Sequence, residues 1–297
     1  MIYRNMNRLL RRKTFYFSMA LLGFLTWFYT AGEMRISDQR FARQLSHNDF
    51  QLEAEFFYQQ TKERTLRYLE IGKDHLPLIV FIHGAPSSSG FWKNLLKDSL
   101  LLRNAKLLAV DRPGYGYSGL GKPMISVQQQ AALIAEILKN KRAQHQQIIV
   151  HGSSYGGTVA ARLAMDYPDL VDGLVLQSAS TQAHAEKTYP ISYPTHHWLL
   201  RWAVPGALRT ANAEKLSHHL ALQKMASGWD RIKAAVIVLH GNKDGLIYPS
   251  NAFFSFENLH NARYKDIRFL EGRKHDLLVT RTALLKQSLL KLIEVTS

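Results

Sequence analysis

The chain has 297 residues, of which 46% are hydrophobic and 21% are charged, and this balance is typical of a folded protein with a large core. It excludes disorder, collagen and coiled coil as the main content, and the absence of cysteine excludes disulfides, thiolate metal sites and cysteine nucleophiles. The net charge is +15, of which five positive charges lie together in residues 1–13. The remaining positive charge is scattered in single residues and pairs, without an RNA-recognition motif, a zinc finger or a long basic helix, so we expect no nucleic-acid partner.

The N-terminus has the pattern of a membrane anchor. Residues 1–13 hold five Lys or Arg residues and no acid, and residues 15–31 carry no charge. An apolar stretch of about 17 residues is at the short end of a bilayer span. The basic residues in front of it predict a cytoplasmic amino end, with the rest of the chain on the periplasmic or extracellular side. We therefore predict that residues 1–31 form a basic N-region and a single transmembrane helix.

A cleaved secretory signal and a core helix of a soluble protein are the alternative interpretations of these residues, and cleavage would release a secreted protein. Signal peptides usually have a shorter apolar region, about 7–15 residues, that ends at a small-residue cleavage site. Here the apolar stretch is longer and aromatic, and Thr30-Ala31-Gly32 matches such a site poorly. The sequence therefore favours the uncleaved anchor.

Residues 32–62 are predicted to be a linker with amphipathic character. Arginines alternate with apolar side chains between Arg35 and Leu45, and a second apolar group follows between Phe50 and Phe57. The pattern fits a helix on the folded domain or on a lipid surface, and it is too short to separate the two.

From residue 63 onward, predicted strands alternate with predicted helices. Apolar runs and alternating patterns predict strands at 65–71, 78–82, 106–110, 147–150, 173–176, 234–239 and 266–270. Helical spacing predicts helices at 126–139, 156–167, 249–259 and 277–293. This order indicates an α/β domain over residues 63–297 with a mostly parallel sheet.

Residues 181–230 interrupt the alternation. They add about 50 residues rich in Trp, Tyr, His and Pro between two predicted core strands. Insertions of this kind at a sheet edge are typical of a lid over a site, so we predict a lid. Ordinary packing helices are the alternative.

A serine nucleophile is predicted in Gly152-Ser153-Ser154-Tyr155-Gly156-Gly157, which fits the pattern G-x-S-x-G. The motif lies between a predicted strand and a predicted helix, which is the context of a nucleophile elbow. The turn is tight, so Gly152 and Gly156 are needed beside the serine. Ser154 would project at the N-terminus of the helix, where partial positive charge accumulates. A glycine-rich turn without chemistry is the alternative.

A serine hydroxyl needs a base, and the base needs an orienting acid. His275 follows the last predicted strand, and Asp244 follows the strand at 234–239. The chain order Ser154, Asp244, His275 is that of the triad in an α/β-hydrolase sheet, and each residue follows a strand's carboxyl end, where open α/β sheets place their sites. We therefore assign Asp244 as the acid and His275 as the base. No H-E-x-x-H pattern or compact His and carboxylate cluster is present, so we expect no metal.

Two backbone N–H groups are predicted to form an oxyanion hole. One belongs to Tyr155, directly after the predicted nucleophile. The second should come from the loop His83-Gly84-Ala85-Pro86, which follows the strand at 78–82. Proline has no N–H group, so Ala85 is the predicted donor, with His83 and Gly84 as supporting residues of the motif.

Residues 64–295 resemble the α/β-hydrolase superfamily, in the branch with a serine nucleophile, an HG-x-P oxyanion loop and a lid insertion. The motifs that carry the resemblance are His83 to Pro86 (HGAP), Asp111 to Ser118 (DRPGYGYS), Gly152 to Gly157 (GSSYGG), His240 to Asp244 (HGNKD) and Gly272 to His275 (GRKH). The resemblance implies an α/β-hydrolase fold, with eight mostly parallel strands flanked by helices, and a reaction without a cofactor. It also implies that the turn from Asp111 to Ser118 supports the site.

The predicted function is hydrolysis of a small or lipidic carboxylic ester through an acyl-enzyme with a Ser–His–Asp triad. The serine argues against dehalogenases and epoxide hydrolases, which carry aspartate at this position. Alternatives remain on the same fold: a peptidase or amidase similar to proline iminopeptidases, a carbon–carbon bond hydrolase, a thioester hydrolase, a perhydrolase, and a binding protein without catalysis. The aromatic lid and the membrane anchor favour an apolar or lipid ester as the substrate.

Overall fold

The computed structural model describes residues 13, 15–26, 28, 30 and 34–297, and it contains a single eight-stranded sheet. In chain order the strands are β1 Glu55–Gln60, β2 Thr65–Ile71, β3 Leu78–Ile82, β4 Lys106–Val110, β5 Ile148–Ser153, β6 Gly173–Gln177, β7 Ala235–Gly241 and β8 Tyr264–Leu270. The α-helices between residues 34 and 297 are α1 Asp38–Leu45, α2 Lys93–Leu96, α3 Ser99–Asn104, α4 Val127–Arg142, α5 Tyr155–Asp166, α6 Ser192–His196, α7 Gly206–Met225, α8 Ser250–Asn258, α9 Leu277–Thr280 and α10 Thr282–Thr296.

The strand order across the sheet is β1-β2-β4-β3-β5-β6-β7-β8. Strand β2 runs antiparallel to both of its neighbours, β1 and β4, and the other neighbouring pairs are parallel. The parallel strands therefore bring their carboxyl ends to one edge, where the loops of an open α/β sheet form its site. The eight-stranded, mostly parallel sheet flanked by helices confirms the predicted fold class.

The sheet separates two layers of apolar side chains. In β3, Leu78, Val80 and Ile82 pack on one face while Ile79 and Phe81 pack on the other, because successive side chains of a strand point to opposite faces. Helices α4, α5 and α8 and the end of α7 cover the first face, and α1, α2, α3 and α10 cover the second. Since both faces of β3 are buried, its sequence is uniformly apolar.

Most predicted strands and helices are confirmed, with differences at their ends. The strands predicted at 65–71, 78–82 and 106–110 coincide with β2, β3 and β4. Strands β5 and β7 run on into the glycine-containing motifs, to Ser153 and Gly241, where the apolar signal has already ended. The closing helix predicted at 277–293 is divided at Arg281, whose φ of −139° and ψ of 34° interrupt the helical backbone between α9 and α10.

The linker predicted over residues 32–62 does not describe the whole segment. Helix α1 buries Phe41 and Leu45 against the domain, so its amphipathic pattern belongs to a helix on the protein. Residues Glu55–Gln60 form β1, which pairs antiparallel with β2 along its whole length. The sequence EFFYQQ does not predict this strand, because two neighbouring phenylalanines break the alternation expected of a half-buried strand.

Part of the predicted membrane anchor lies outside the described residues. Residues 15–26 are helical, and their large apolar side chains are exposed. Within the part of the chain that the structure describes, no helix is both long and apolar enough to cross a membrane.

Candidate active site

Ser154 lies in a strained turn between β5 and α5. Its backbone has φ 54° and ψ −124°, a conformation that costs a residue other than glycine about 1–3 kcal/mol. The turn is compact: a Cβ atom added to Gly152 would lie 2.5 Å from the carbonyl oxygen of Gly156, and one added to Gly156 would lie 2.3 Å from that of Ile82. The strand–turn–helix context predicted for Ser154 is therefore present, and its glycines are required by close packing.

Hydrogen bonds hold the backbone of Ser154 and leave its side chain available. The Ser154 N–H donates to the carbonyl oxygen of Gln177, at the end of β6, and its carbonyl oxygen accepts from the N–H of Gly157, both at 2.9 Å. Among the residues that the structure describes, the Ser154 hydroxyl forms no hydrogen bond, and Ser154 lines an open cavity. The contact between a nucleophile and its base is often long without substrate and tightens in the complex.

Asp244 and His275 meet at the carboxyl edge of the sheet. The Nδ1 of His275 donates a hydrogen bond of 2.7 Å to Oδ2 of Asp244, whose Oδ1 accepts from the N–H groups of Leu246 and Ile247 at 3.0 Å each. An ionised carboxylate has no proton to donate, so Nδ1 carries the hydrogen and Nε2 keeps a lone pair. This is the tautomer that can accept a proton from a serine hydroxyl.

The surroundings of Asp244 favour its charged form. Burial raises the pKa of Asp244, but the hydrogen bond and charge of His275, together with the N–H groups of Ile247 and Leu246, lower it by more. The pKa of this carboxyl therefore lies below its ordinary value. The pair joins a buried carboxylate to a partly exposed imidazole, since the His275 side chain is 28% exposed.

Close backbone packing keeps the Asp244 and His275 loops side by side. The N–H of Lys243 donates to the carbonyl oxygen of Arg273 at 2.8 Å. A Cβ atom added to Gly241 would lie only 2.3 Å from that same oxygen. A larger residue at position 241 would therefore push the His275 loop away from the end of β7 and from Asp244.

The loop after β3 faces Ser154. A Cβ atom added to Gly84 would lie 3.0 Å from Cβ of Ser154 and 3.6 Å from its hydroxyl oxygen. Ala85 and Tyr155 line the same cavity as Ser154. The two predicted N–H donors thus belong to residues on the wall beside the serine.

Arg112 holds the loop after β3 through hydrogen bonds to its backbone. Its Nε donates to the carbonyl oxygen of His83 at 2.8 Å and its Nη2 donates to that of Gly84 at 3.2 Å. The Arg112 N–H donates to Nε2 of His83 at 3.0 Å, so the other ring nitrogen carries the hydrogen and donates to Gly84 at 2.7 Å. The C=O and N–H of a trans peptide point in opposite directions, so the N–H of Ala85 points away from Arg112.

Arg112 is paired with Glu214 of helix α7. Nη1 of Arg112 lies 2.6 Å from Oε1 of Glu214, and Nη2 lies 3.1 Å from Oε2, with both side chains fully buried. Tyr115 and Gln130 also donate to Glu214, at 2.6 Å and 2.9 Å. The pair therefore ties α7 to the loop that carries Ala85. Sequence analysis missed both residues; the one signal was the position of Arg112 inside the DRPGYGYS motif.

The turn from Asp111 to Ser118 closes around the Asp111 carboxylate. Its Oδ1 accepts from the N–H of Ser89 at 2.7 Å, and its Oδ2 accepts from the N–H of Tyr117 and from Arg67 at 3.0 Å each. This carboxylate fixes the turn, which in turn carries Arg112. The supporting role implied for the motif thus has a physical basis.

A cavity of about 630 Å³ opens beside Ser154. Much of its wall is apolar and comes from the insertion between β6 and β7, including Tyr189, Ile191, Val204 and Leu208. Phe28, from the N-terminal part of the chain, lines it as well. Its size and lining suit a small molecule with an apolar group.

The carboxylate on the cavity wall, Glu186, is neutralised by its neighbours. Its Oε1 lies 2.8 Å from Nζ of Lys215 and 2.9 Å from Nδ1 of His218, and its Oε2 accepts from the Ser180 hydroxyl at 2.8 Å. Burial raises the pKa of Glu186, but the hydrogen bond and charge of His218 and of Lys215 lower it to about 2. Among the described residues, no cluster of His, Asp and Glu has the arrangement of a metal site.

The chain belongs to the α/β-hydrolase fold family. The model of this family matches residues 77–225, about half of the chain, which include the loop after β3, the Ser154 turn and most of the insertion.

Among curated proteins, the chain is similar to epoxide hydrolase 1 of Caenorhabditis elegans, with 29% identity over 120 residues that cover 40% of this chain and 29% of that protein. It is also similar to the pimeloyl-[acyl-carrier protein] methyl ester esterase of Proteus mirabilis (strain HI4320), with 32% identity over 119 residues that cover 40% of this chain and 41% of the esterase. The matched segments span less than half the length of these relatives.

Solved structures share the fold over most of the chain. A membrane phospholipase A described as a bacterial virulence factor superposes with a TM-score of 0.64 at 18% identity, covering 96% of this chain and 99% of the phospholipase. An esterase of Exiguobacterium antarcticum superposes with a TM-score of 0.64 at 17% identity, covering 81% of this chain and 99% of the esterase. At these identities the likeness shows the common fold.

Proposed function

We propose that this protein is a serine hydrolase that cleaves carboxylic esters through an acyl-enzyme. Ser154 is the nucleophile, His275 the general base and Asp244 the acid that orients it. The observation that carries the proposal is the 2.7 Å hydrogen bond from His275 to buried Asp244, at the same sheet edge where a strained turn presents Ser154 to the cavity.

The proposed reaction uses these three residues in turn. The Ser154 hydroxyl oxygen attacks the ester carbonyl carbon while Nε2 of His275 takes its proton. The N–H groups of Ala85 and Tyr155 stabilise the negative oxygen of the tetrahedral intermediate, and each such donor is worth about 3 kcal/mol. The imidazolium then protonates the leaving alcohol. A water molecule, activated by the same imidazole, hydrolyses the acyl-serine and restores the enzyme.

The charges on the cavity wall favour an ester over a peptide with a free amino end. A peptidase that selects such an end requires an unpaired anion to bind the ammonium group. Glu186 is already paired with Lys215 and His218, while Lys187 on the same wall adds a positive charge. An ammonium group would therefore meet net positive charge, whereas an apolar acyl or alcohol group fits the apolar wall.

We also propose that the N-terminal segment anchors the protein to a membrane as a single helix and that residues 181–230 act as a lid. The basic residues 1–13 followed by the uncharged residues 15–31, and the exposed apolar side chains of residues 15–26, support the anchor. The lid proposal rests on the cavity wall, which the insertion supplies in large part. Both suit a lipidic ester as the substrate.

A fluorophosphonate probe tests the nucleophile directly. We expect labelling of the wild type, loss of labelling in Ser154→Ala and in a heat-denatured sample, and retained labelling in the matched control Ser153→Ala. A series of p-nitrophenyl esters of increasing chain length then measures turnover, which Ser154→Ala should lower by about 10⁴–10⁶-fold. Labelling that persists in Ser154→Ala, or a folded wild type that neither labels nor turns over esters, would overturn the proposal.

A further inference from the structure

The insertion between β6 and β7 exposes an unusual number of large apolar side chains. Seven of them, each between 49% and 72% exposed, lie within residues 189–202. They are Tyr189, Ile191, Tyr193, Trp198, Leu199, Leu200 and Trp202. We call this set the aromatic surface. Single exposed apolar residues are common in soluble proteins, but a concentration of this kind marks an interaction surface.

The aromatic surface is continuous with the candidate active site. Tyr189 and Ile191 belong to it and also line the cavity beside Ser154. Whatever covers the aromatic surface therefore lies at the cavity entrance.

A second exposed apolar surface reaches the same cavity. The large apolar side chains of residues 15–26 are between 46% and 70% exposed. Phe28, two positions beyond this segment, is on the cavity wall. Side chains from the aromatic surface and from the N-terminal part of the chain thus line one cavity.

The charges of residues 187–213 have one sign, and the neighbouring Glu186 is paired with Lys215 and His218. Residues 187–213 contain Lys187, Arg201 and Arg209 and no Asp or Glu. Trp and Tyr side chains prefer the headgroup level of a bilayer, and Lys and Arg near it are attracted to anionic lipids. The composition therefore fits a lipid surface with anionic headgroups better than a purely apolar protein surface.

We propose that the aromatic surface lies in the headgroup layer of a bilayer containing anionic lipid, and that the cavity takes its ester directly from that layer. A bilayer covers the aromatic surface and the exposed segment 15–26 at once, whereas a protein partner would need two matched interfaces. The surface binding stands on its own observations, and the uptake of an ester rests on the hydrolase function proposed above.

The absence of cysteine makes the location measurable with one introduced label. Leu199→Cys carries an NBD fluorophore on the aromatic surface, and Ala143→Cys carries it in the exposed turn before β5, at the amino edge of the sheet. The full chain is reconstituted into vesicles of phosphatidylcholine with one quarter phosphatidylglycerol. Relative to detergent, we expect a blue shift at position 199 and quenching by doxyl-labelled lipid, with neither effect at position 143.

The outcomes decide the proposal without reference to catalysis. Equal emission and quenching at the two positions would overturn it, because the surface would then have no special contact with lipid. A blue shift at position 199 that needs no vesicles and grows with protein concentration would assign the surface to a second protein chain instead.

Uptake from the bilayer is tested with Trp198→Ser/Trp202→Ser, since neither tryptophan lines the cavity. We expect turnover of dissolved p-nitrophenyl butyrate within about twofold of the wild type, and turnover of p-nitrophenyl palmitate in the vesicles to fall by at least about tenfold. An equal effect on both substrates would overturn uptake from the bilayer. Inactivity of the wild type on both esters would instead reject the hydrolase function and leave the label result as the test of surface binding.

Discussion

Replacing Glu214 by Gln removes the anion that neutralises Arg112 inside the protein. Both side chains are fully buried. Burial lowers the pKa of Arg112, but the charge of Glu214 raises it by more, so the guanidinium is held in its charged form. Removing one partner of a buried pair leaves an uncompensated charge, which costs about 3–5 kcal/mol. Since domains are stable by only about 5–15 kcal/mol, we expect a large loss of stability.

The same change should slow the reaction, because Arg112 also holds the carbonyl oxygen of Gly84. If the Ala85 N–H is no longer aimed at the oxyanion, one donor is lost, which lowers kcat by about 10²-fold with little change in KM. The double variant Arg112→Met/Glu214→Leu separates the two effects. The double variant leaves no uncompensated charge, but it also leaves the buried Tyr115 and Gln130 donors without Glu214, so we expect stability to recover in part while kcat stays low.

Urea unfolding followed by tryptophan fluorescence measures the first effect, and p-nitrophenyl ester kinetics measure the second. The control is Glu294→Gln, whose partner Lys291 lies 3.1 Å away on the surface and whose loss should cost less than about 1 kcal/mol. The reasoning is refuted if Glu214→Gln unfolds within about 1 kcal/mol of the wild type. A double variant with full kcat would refute the role of Arg112 in orienting the loop.

Three further changes have defined outcomes. Asp244→Asn should lower kcat by about 10⁴-fold, because the amide no longer selects the His275 tautomer, and near-wild-type kinetics would remove Asp244 from the site. Gly241→Ala should lower both kcat and the unfolding midpoint, because its Cβ would meet the carbonyl oxygen of Arg273 at 2.3 Å; unchanged kinetics would show that the loop can shift without moving His275. Burial lowers the pKa of His151 to about 4, whereas histidine in the unfolded chain has a pKa of about 6.5. As the pH falls between these two values, the unfolded state binds the proton before the folded state does, so the folded protein loses at most about 3 kcal/mol of stability. His151→Gln should therefore lose less stability between pH 7 and pH 4.5 than the wild type, and equal losses in urea midpoints would contradict this.

Local sequence patterns were enough to predict strands that are buried on both faces of the sheet. β3 is buried on both faces and reads as an unbroken apolar run, so its bounds follow from the sequence. The signal for the Ser154 turn is likewise local, because Gly152, Ser154 and Gly156 lie within five residues of the chain, although Gly156 packs against the distant Ile82. The candidate site could be assembled because each of its residues follows a strand, and parallel strands end at one edge.

The features that the sequence did not predict depend on distant partners. Arg112 and Glu214 are separated by 102 positions, and nothing near either residue indicates that the two charges are buried together. Strand β1 is recognisable only through its pairing with β2, since its own residues lack a clear alternation. The backbone conformation of Arg281 divides the last helix, and no proline or glycine at that position indicates the division in the sequence.

The buried pair of Arg112 and Glu214 also ties only one part of the insertion to the domain. Helix α7 is held by Glu214 and by the Thr210 hydroxyl, which donates to the carbonyl oxygen of Gly114 at 3.0 Å. Residues 187–205 have no comparable buried charge pair within the described structure. Exchanging this stretch between related proteins would therefore alter the cavity entrance while α7 keeps the Gly84 and Ala85 loop in place. The cavity wall is thus built from two parts of the insertion, and only the part in α7, which includes Leu208, is tied to the Gly84 and Ala85 loop.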